Sequence, residues 1–167
     1  LSEKFIEGEN LRILAHRFRK ELLRDSMLIV GRYDSRLKMS ELDANRESPE
    51  NDPSYQPAAH GAFANGINDY IIRTLKFKTF IPYEVLTGRV NPWNFETANE
   101  YLNMTDNISR VMAKNPYMKV WVLNGYYDLA TPYFGSEYTF EHLNLADNLL
   151  KNISFTYYEA GHMMYLY

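Results

Sequence analysis

Residues 118–128 read MKVWVLNGYYD, and residues 153–162 read ISFTYYEAGH. Each stretch begins with a dense apolar run of strand length, over residues 118–123 and 153–158, and continues into a turn that contains a glycine. A helix is predicted between them, from Thr131 to about residue 143, because Thr131 suits the N-cap and Pro132 suits the first helical position. Such a strand–helix–strand unit joins parallel strands, so the sequence predicts an α/β fold.

Two residues with catalytic chemistry follow these predicted strands. Asp128 comes just after the Gly125 turn, and His162 comes directly after Gly161. Because parallel strands end at the same edge of a sheet, we expect the two side chains to lie together. There the carboxylate can hold one ring nitrogen while the other takes a proton from a nucleophile. Taken singly, Asp128 is also typical of a turn or cap, and His162 of a structural histidine.

The chain divides into two regions by its pattern of apolar residues. Residues 1–115 are predicted to be mostly helical, and residues 116–167 form the strand–helix–strand part. Helical spacing predicts helices over residues 11–24, 59–75 and 98–112. Asn10 is the expected N-cap of the first helix, on which the cationic residues, Arg19 and Lys20 among them, fall largely off the apolar face. Residues 27–30 form a short strand or buried extended segment, and residues 41–57, with three prolines, a loop.

Composition excludes several classes of function. The formal net charge is −3 and the basic residues are scattered, so no nucleic-acid partner is expected. No run approaches the roughly 18 apolar residues of a membrane span, so no membrane partner is expected either. The chain has no cysteine, which excludes disulfides and a cysteine nucleophile. The remaining histidines are His16, His60 and His142, and none of them has a partner at a metal-ligand spacing. Neither a metal nor another cofactor is predicted.

The amino-acid sequences in and around these two stretches closely resemble motifs of a known family. WVLNGYYDLATP, over residues 121–132, and YYEAGHMMY, over residues 157–165, resemble the Asp and His motifs of the serine carboxypeptidases, in particular of their bacterial branch. Less specific similarities cover much of the remaining chain, at residues 10–12, 18–25, 30–36, 52–55, 68–70 and at Trp93.

The resemblance implies a fold, an activity and a set of roles. The chain would be the C-terminal part of an α/β-hydrolase, with residues 1–115 largely an inserted cap. Asp128 would be the acid and His162 the general base of a Ser-Asp-His triad that hydrolyses the C-terminal peptide bond of a peptide substrate. Met163 would line the pocket for the substrate's last residue, although a core methionine beside a strand end is the plain alternative. A periplasmic or secreted location is also implied.

The nucleophile itself is absent from these 167 residues. No serine lies in a G-x-S-x-G elbow, since Ser136 follows Gly135 but lacks the second glycine. We therefore expect a fragment that is inactive alone, with its serine upstream of Leu1. The alternatives are a fragment of an esterase or lipase, and a non-catalytic binding module on the same scaffold.

Two further expectations concern surfaces and charges. A fragment of a sheet leaves an open strand edge and an uncovered apolar face, so self-association is expected, with residues 118–123 as one route. Asp34 stands between Arg32 and Arg36, and this pattern favours a structural ion pair or turn over a catalytic acid.

Overall fold

The computed structural model describes residues 1–43, 45–55, 61–81, 83–85, 87–94 and 102–167. These residues form two compact units of mixed helices and strands, Leu1–Arg89 and Val90–Tyr167. The mixed class predicted from the sequence is confirmed at this level. The boundary predicted near residue 115, between a cap and a hydrolase core, stays a prediction. None of the helices in the described ranges is long and apolar enough to cross a membrane.

The first unit contains short helices and one antiparallel strand pair. Its elements are α1 (Glu3–Gly8), α2 (Ala15–Glu21), a 3₁₀ turn (Arg24–Ser26), β1 (Leu28–Val30), β2 (Lys38–Ser40) and α3 (Ala62–Asp69) with a π-helical continuation (Tyr70–Thr74). A 3₁₀ turn at Gly88–Val90 spans the boundary between the two units. In β1 and β2 the register pairs Leu28 with Ser40 and Val30 with Lys38. As predicted, residues 41–43 and 45–54 contain neither helix nor strand.

Helix α2 begins later than predicted, and the expected cap is wrong. Asn10 and Leu11 have positive φ angles of 50° and 61°, and the Asn10 N–H donates to the Glu7 carbonyl. The chain therefore turns at the position where the pattern predicted a helix start, because Asn tolerates the left-handed region well. Leu14 is the actual N-cap and makes no side-chain capping bond.

Two cations of α2 are buried in the first unit, although they fall off the apolar face that the pattern predicts. Arg19 donates from Nε to the Val30 carbonyl at 2.9 Å and pairs with Asp52 at 3.0 Å. Lys20 is 3% exposed, pairs with Glu41 at 3.2 Å and donates to the Asp43 carbonyl. These contacts join the helix to β1 and to the loop that follows β2.

The second unit carries the predicted strand–helix–strand arrangement. Its elements are α4 (Thr105–Lys114), β3 (Val120–Gly125), α5 (Tyr133–Glu141), α6 (Asp147–Leu150), β4 (Ile153–Tyr158) and a 3₁₀ turn (Met164–Leu166). Strand β4 has its predicted bounds, and β3 is displaced towards Gly125. Helix α4 begins at Thr105, where the Asn103 side chain accepts from the Thr105 N–H. Residues 98–101 of the predicted helix lie outside the described residues.

Strands β3 and β4 are parallel, as predicted. The register runs from Val120 opposite Ile153 to Gly125 opposite Tyr158, so the two strands end together. Helix α5 covers one face of this pair, where the Phe140 ring packs edge-on against Phe155 at 5.5 Å. The parallel pairing thereby fixes where the loops after β3 and β4 emerge.

Candidate active site

The loops after β3 and β4 remain hydrogen-bonded beyond the strands. The N–H of Tyr126 donates to the Tyr158 carbonyl at 3.0 Å, and the N–H of Tyr127 donates to the Ala160 carbonyl at 3.1 Å. The two loops therefore run side by side up to the residue before Asp128.

This close approach depends on Gly125. A Cβ placed there would lie 2.2 Å from the carbonyl oxygen of Gly161 and 2.5 Å from that of Ala160. Such distances are far below van der Waals contact, so only glycine fits the observed backbone. Gly161 and Ala160 are themselves buried, and this leaves little room for either loop to shift.

Asp128 is 5% exposed, yet both of its carboxylate oxygens have donors. Oδ1 accepts from the N–H groups of Ala130 and Thr131 at 2.7 and 2.9 Å. Oδ2 accepts from the Thr131 hydroxyl at 2.6 Å. Asp side chains commonly bond backbone N–H groups two and three residues ahead, and here that turn holds the carboxylate in one orientation.

His162 completes the arrangement. Its Nδ1 lies 2.9 Å from Oδ2 of Asp128, and its side chain is 37% exposed. A carboxylate can only accept, so the network assigns a proton to Nδ1 and leaves the lone pair of the neutral ring on Nε2. The structure thus brings together the two side chains that the sequence predicts to meet, while their catalytic role stays a prediction.

Thr131 has a different place from the one predicted. Helix α5 begins one residue later than expected, with Pro132 as its N-cap and no side-chain capping bond. The Thr131 hydroxyl turns back to Asp128 and also lies 3.2 Å from Nδ1 of His162. The predicted capping role is therefore wrong, because the hydroxyl contacts Asp128 and His162 and makes no capping bond to the helix.

A third side-chain contact joins the same two loops. The hydroxyl of Tyr127 donates to Oε2 of Glu159 at 2.6 Å. Tyr127 directly precedes Asp128, and Glu159 begins the turn that leads to His162. This bond reinforces the backbone contact between the loops from their more exposed side.

An aromatic cluster lies beside the loop after β3. Tyr126 stacks on Tyr157 with ring centroids 5.6 Å apart, and Tyr133 meets both rings edge-on. Tyr157 also donates a short hydrogen bond to Glu137 of α5. That bond, together with partial burial and the nearby carboxylate charge, raises the pKa of Tyr157 to about 12.

The other residues singled out by the sequence have varied positions. Met163 is half-buried, follows His162 and accepts from the Leu166 N–H in the C-terminal turn. Ser136 lies within α5. Asp34 makes the expected ion pair, since its carboxylate accepts from the Arg36 guanidinium and backbone N–H. In the ranges of the chain given above, no three metal-ligating side chains come together.

Sequence reasoning missed three contributors to this geometry. They are the hydroxyl of Thr131, the Tyr127–Glu159 bond and the close packing of Gly125. The position of Asp128 offered a partial signal for the first, since Asp side chains commonly bond the backbone just ahead of them and so close a turn. The other two join residues far apart in the sequence, and no local pattern identifies them.

Comparison of the chain with protein-family models, with curated proteins and with solved structures gave no match.

Proposed function

We propose that the chain supplies the acid and the base of a serine-type carboxypeptidase triad, and that the nucleophilic serine lies outside residues 1–167. The observation that carries this proposal is the 2.9 Å contact between Asp128 and His162 at the ends of two parallel strands. A buried, fully bonded carboxylate that orients an accessible imidazole is the arrangement that acyl-transfer hydrolases use to activate a hydroxyl. The motifs around both residues resemble those of serine carboxypeptidases, and this resemblance indicates a peptide as the substrate.

Each residue then has a definite task. The serine hydroxyl attacks the carbonyl carbon of the last peptide bond, and Nε2 of His162 accepts its proton. The same nitrogen returns that proton to the leaving amine, and a water molecule later hydrolyses the acyl-enzyme by the same route. Asp128 holds the ring and stabilises its cationic form without taking the proton itself.

The finer fold assignment belongs to the same proposal. Strands β3 and β4 with α5 would be the last strand–helix–strand unit of an α/β-hydrolase sheet, and residues 1–115 its cap region. Met163, next to His162, would contribute to the pocket for the substrate's C-terminal residue. An unbranched thioether suits a pocket that admits side chains of varied shape.

Expression of the complete reading frame that contains this chain tests the proposal. We expect a G-x-S-x-G elbow upstream of Leu1, and release of the last residue from an N-blocked dipeptide. Asp128→Asn should lower kcat by about 10⁴-fold, because the ring then loses its required tautomer. The exposed Asp147 offers a matched control, and Asp147→Asn should leave kcat unchanged.

Two results would reject the proposal. One is a frame without the elbow; the other is serine-inhibitor-sensitive turnover by residues 1–167 alone. An esterase or lipase is distinguished by substrate, since it would cleave a short ester and ignore whether the dipeptide carries a free C-terminal carboxylate.

We also propose that the isolated chain self-associates. Within the described residues, β3 and β4 pair only with each other, which leaves the outer edge of each strand open. Trp121 on β3 is 63% exposed although it is a large apolar side chain. Open edges and exposed apolar faces are typical sites of association.

A further inference from the structure

The hydroxyl of Thr131 contacts both members of the Asp128–His162 pair. It lies 2.6 Å from Oδ2 of Asp128 and 3.2 Å from Nδ1 of His162. The ring nitrogen is itself 2.9 Å from Oδ2. The hydroxyl oxygen therefore lies within hydrogen-bond distance of both the carboxylate and the ring.

The number of hydrogen-bond donors around Asp128 shows how the Thr131 hydroxyl helps to fix the carboxylate. An ionised carboxylate offers about four acceptor sites on its two oxygens. The N–H groups of Ala130 and Thr131 use Oδ1, while the Thr131 hydroxyl and the ring N–H use Oδ2. With four donors the carboxylate cannot rotate without losing a bond, so the point at which His162 docks is fixed.

The bond from the Thr131 hydroxyl to Oδ2 also determines whether the hydroxyl can donate to the His162 ring or only accept from it. A hydroxyl has one proton, and here Oδ2 takes it. Towards Nδ1 the hydroxyl oxygen then acts only as an acceptor, like Oδ2 itself. Both groups next to Nδ1 thus favour a proton on that nitrogen, whereas a hydroxyl free to rotate could donate to it and favour the opposite tautomer.

We propose that Thr131 is a positioning residue for the Asp128–His162 pair: it fixes Oδ2 and places a second acceptor beside Nδ1, so that His162 keeps its proton on Nδ1 and its lone pair on Nε2. This inference deepens the proposed function, on which its catalytic meaning rests. Thr131 acts through the other two residues and has no contact with a reacting atom.

The test uses the chain as it is, with ¹⁵N-labelled histidine and NMR at a pH where the ring is neutral. The signal of His162 is identified by its loss in His162→Gln. We expect the unmodified chain to show a protonated Nδ1 whose hydrogen exchanges slowly with water. Thr131→Val keeps the shape and the backbone N–H but removes the hydroxyl, and should speed that exchange about three- to tenfold, the effect of one lost hydrogen bond.

Thr131→Ser restores the hydroxyl and should restore slow exchange. A purely structural role predicts otherwise, because Ser loses the methyl group and Val keeps it. Equal exchange in the Val variant and the unmodified chain would overturn the proposal, as would fast exchange in the unmodified chain.

Failure of this inference and failure of the proposed function give different results. If Nδ1 is protonated but Val changes nothing, Thr131 has no positioning role while the triad proposal stands. If Val speeds exchange and Ser rescues it, but no serine elbow precedes the chain, Thr131 still positions the pair and the carboxypeptidase proposal fails.

Discussion

A methyl group on the Cα of Gly125 would lie 2.2 Å from the carbonyl oxygen of Gly161. Gly125 ends β3 just before the loop that carries Asp128, and Gly161 lies in the loop that carries His162, so their contact sets the distance between those loops. The obstructing atoms are backbone atoms, which cannot move aside as a flexible side chain would.

Gly125→Ala should therefore separate the loops and destabilise the second unit by about 1–3 kcal/mol, the usual cost of overpacking. Urea unfolding followed by amide exchange in β3 and β4 measures the effect. Gly135 is the matched control, because a Cβ there meets nothing within 4 Å. Gly135 lies in helix α5, so Gly135→Ala should stabilise the second unit by about 0.5–1 kcal/mol. Equal stability of Gly125→Ala and the unmodified chain would show that the loops are not closely packed.

Tyr157 should be among the last tyrosines to ionise. Its bond to Glu137 raises its pKa from 10.0 to about 12, so the neutral form is favoured by folding. The stabilisation is complete below about pH 10 and is lost as pH rises through about 12. Tyr157→Phe should remove this alkaline loss from the stability profile of the second unit. Phenolate absorbance measures the ionisation, and a Tyr157 step near pH 10 would contradict the argument.

Glu41 should contribute to stability near neutral pH and cease to do so in acid. Burial alone would raise the pKa of Glu41, but the Asp43 N–H and Lys20 outweigh it and lower the pKa overall. A lowered pKa gives stability that is present above the ordinary value of 4.5 and lost as pH falls through the folded value.

Glu41→Gln leaves Lys20 as an unpaired buried cation, at an expected cost of about 3–5 kcal/mol at neutral pH. Amide exchange in β1 and β2 reports this unit separately. Glu47 is the matched control because its 3.6 Å pair with Arg17 is exposed, so Glu47→Gln should cost less than about 1 kcal/mol. A Glu41→Gln deficit that does not shrink in acid would refute the role of the ion pair.

Trp121→Lys should reduce self-association of the isolated chain. The change places a charge on the exposed side of β3, and charged residues at sheet edges oppose pairing between copies. Light scattering measures the molar mass in solution. Tyr117 is 94% exposed and lies outside the strand, so Tyr117→Lys should change nothing. A clean monomer before any substitution would remove the basis of this prediction.

The sequence predicted the second unit better than the first, for a physical reason. Strand β4 has its predicted bounds because its apolar run is dense and ends in a glycine turn, signals that act over a few residues. The meeting of Asp128 and His162 followed from one rule about parallel strands. Thr131 does not follow the local capping rule, because its hydroxyl contacts Asp128 and His162 and Pro132 is the N-cap.

In the first unit, long-range contacts override local pattern. Arg19 and Lys20 fall off the apolar face of α2, yet both are buried by partners such as Asp52 and Glu41, far along the chain. Strand β2 was not predicted at all. Its three residues form a strand only because β1 pairs with them, and so short an element leaves no periodic signal.

The parallel pairing of β3 and β4 has a consequence for how the site is made. A parallel pair cannot close through a tight hairpin, so residues Tyr126 to Asn152 form a crossover that connects β3 to β4. Asp128 and His162 are therefore separated by this crossover in the unfolded chain, and they come into contact only when β3 and β4 pair. The His162 ring signal therefore reports in one side chain whether β3 and β4 have paired.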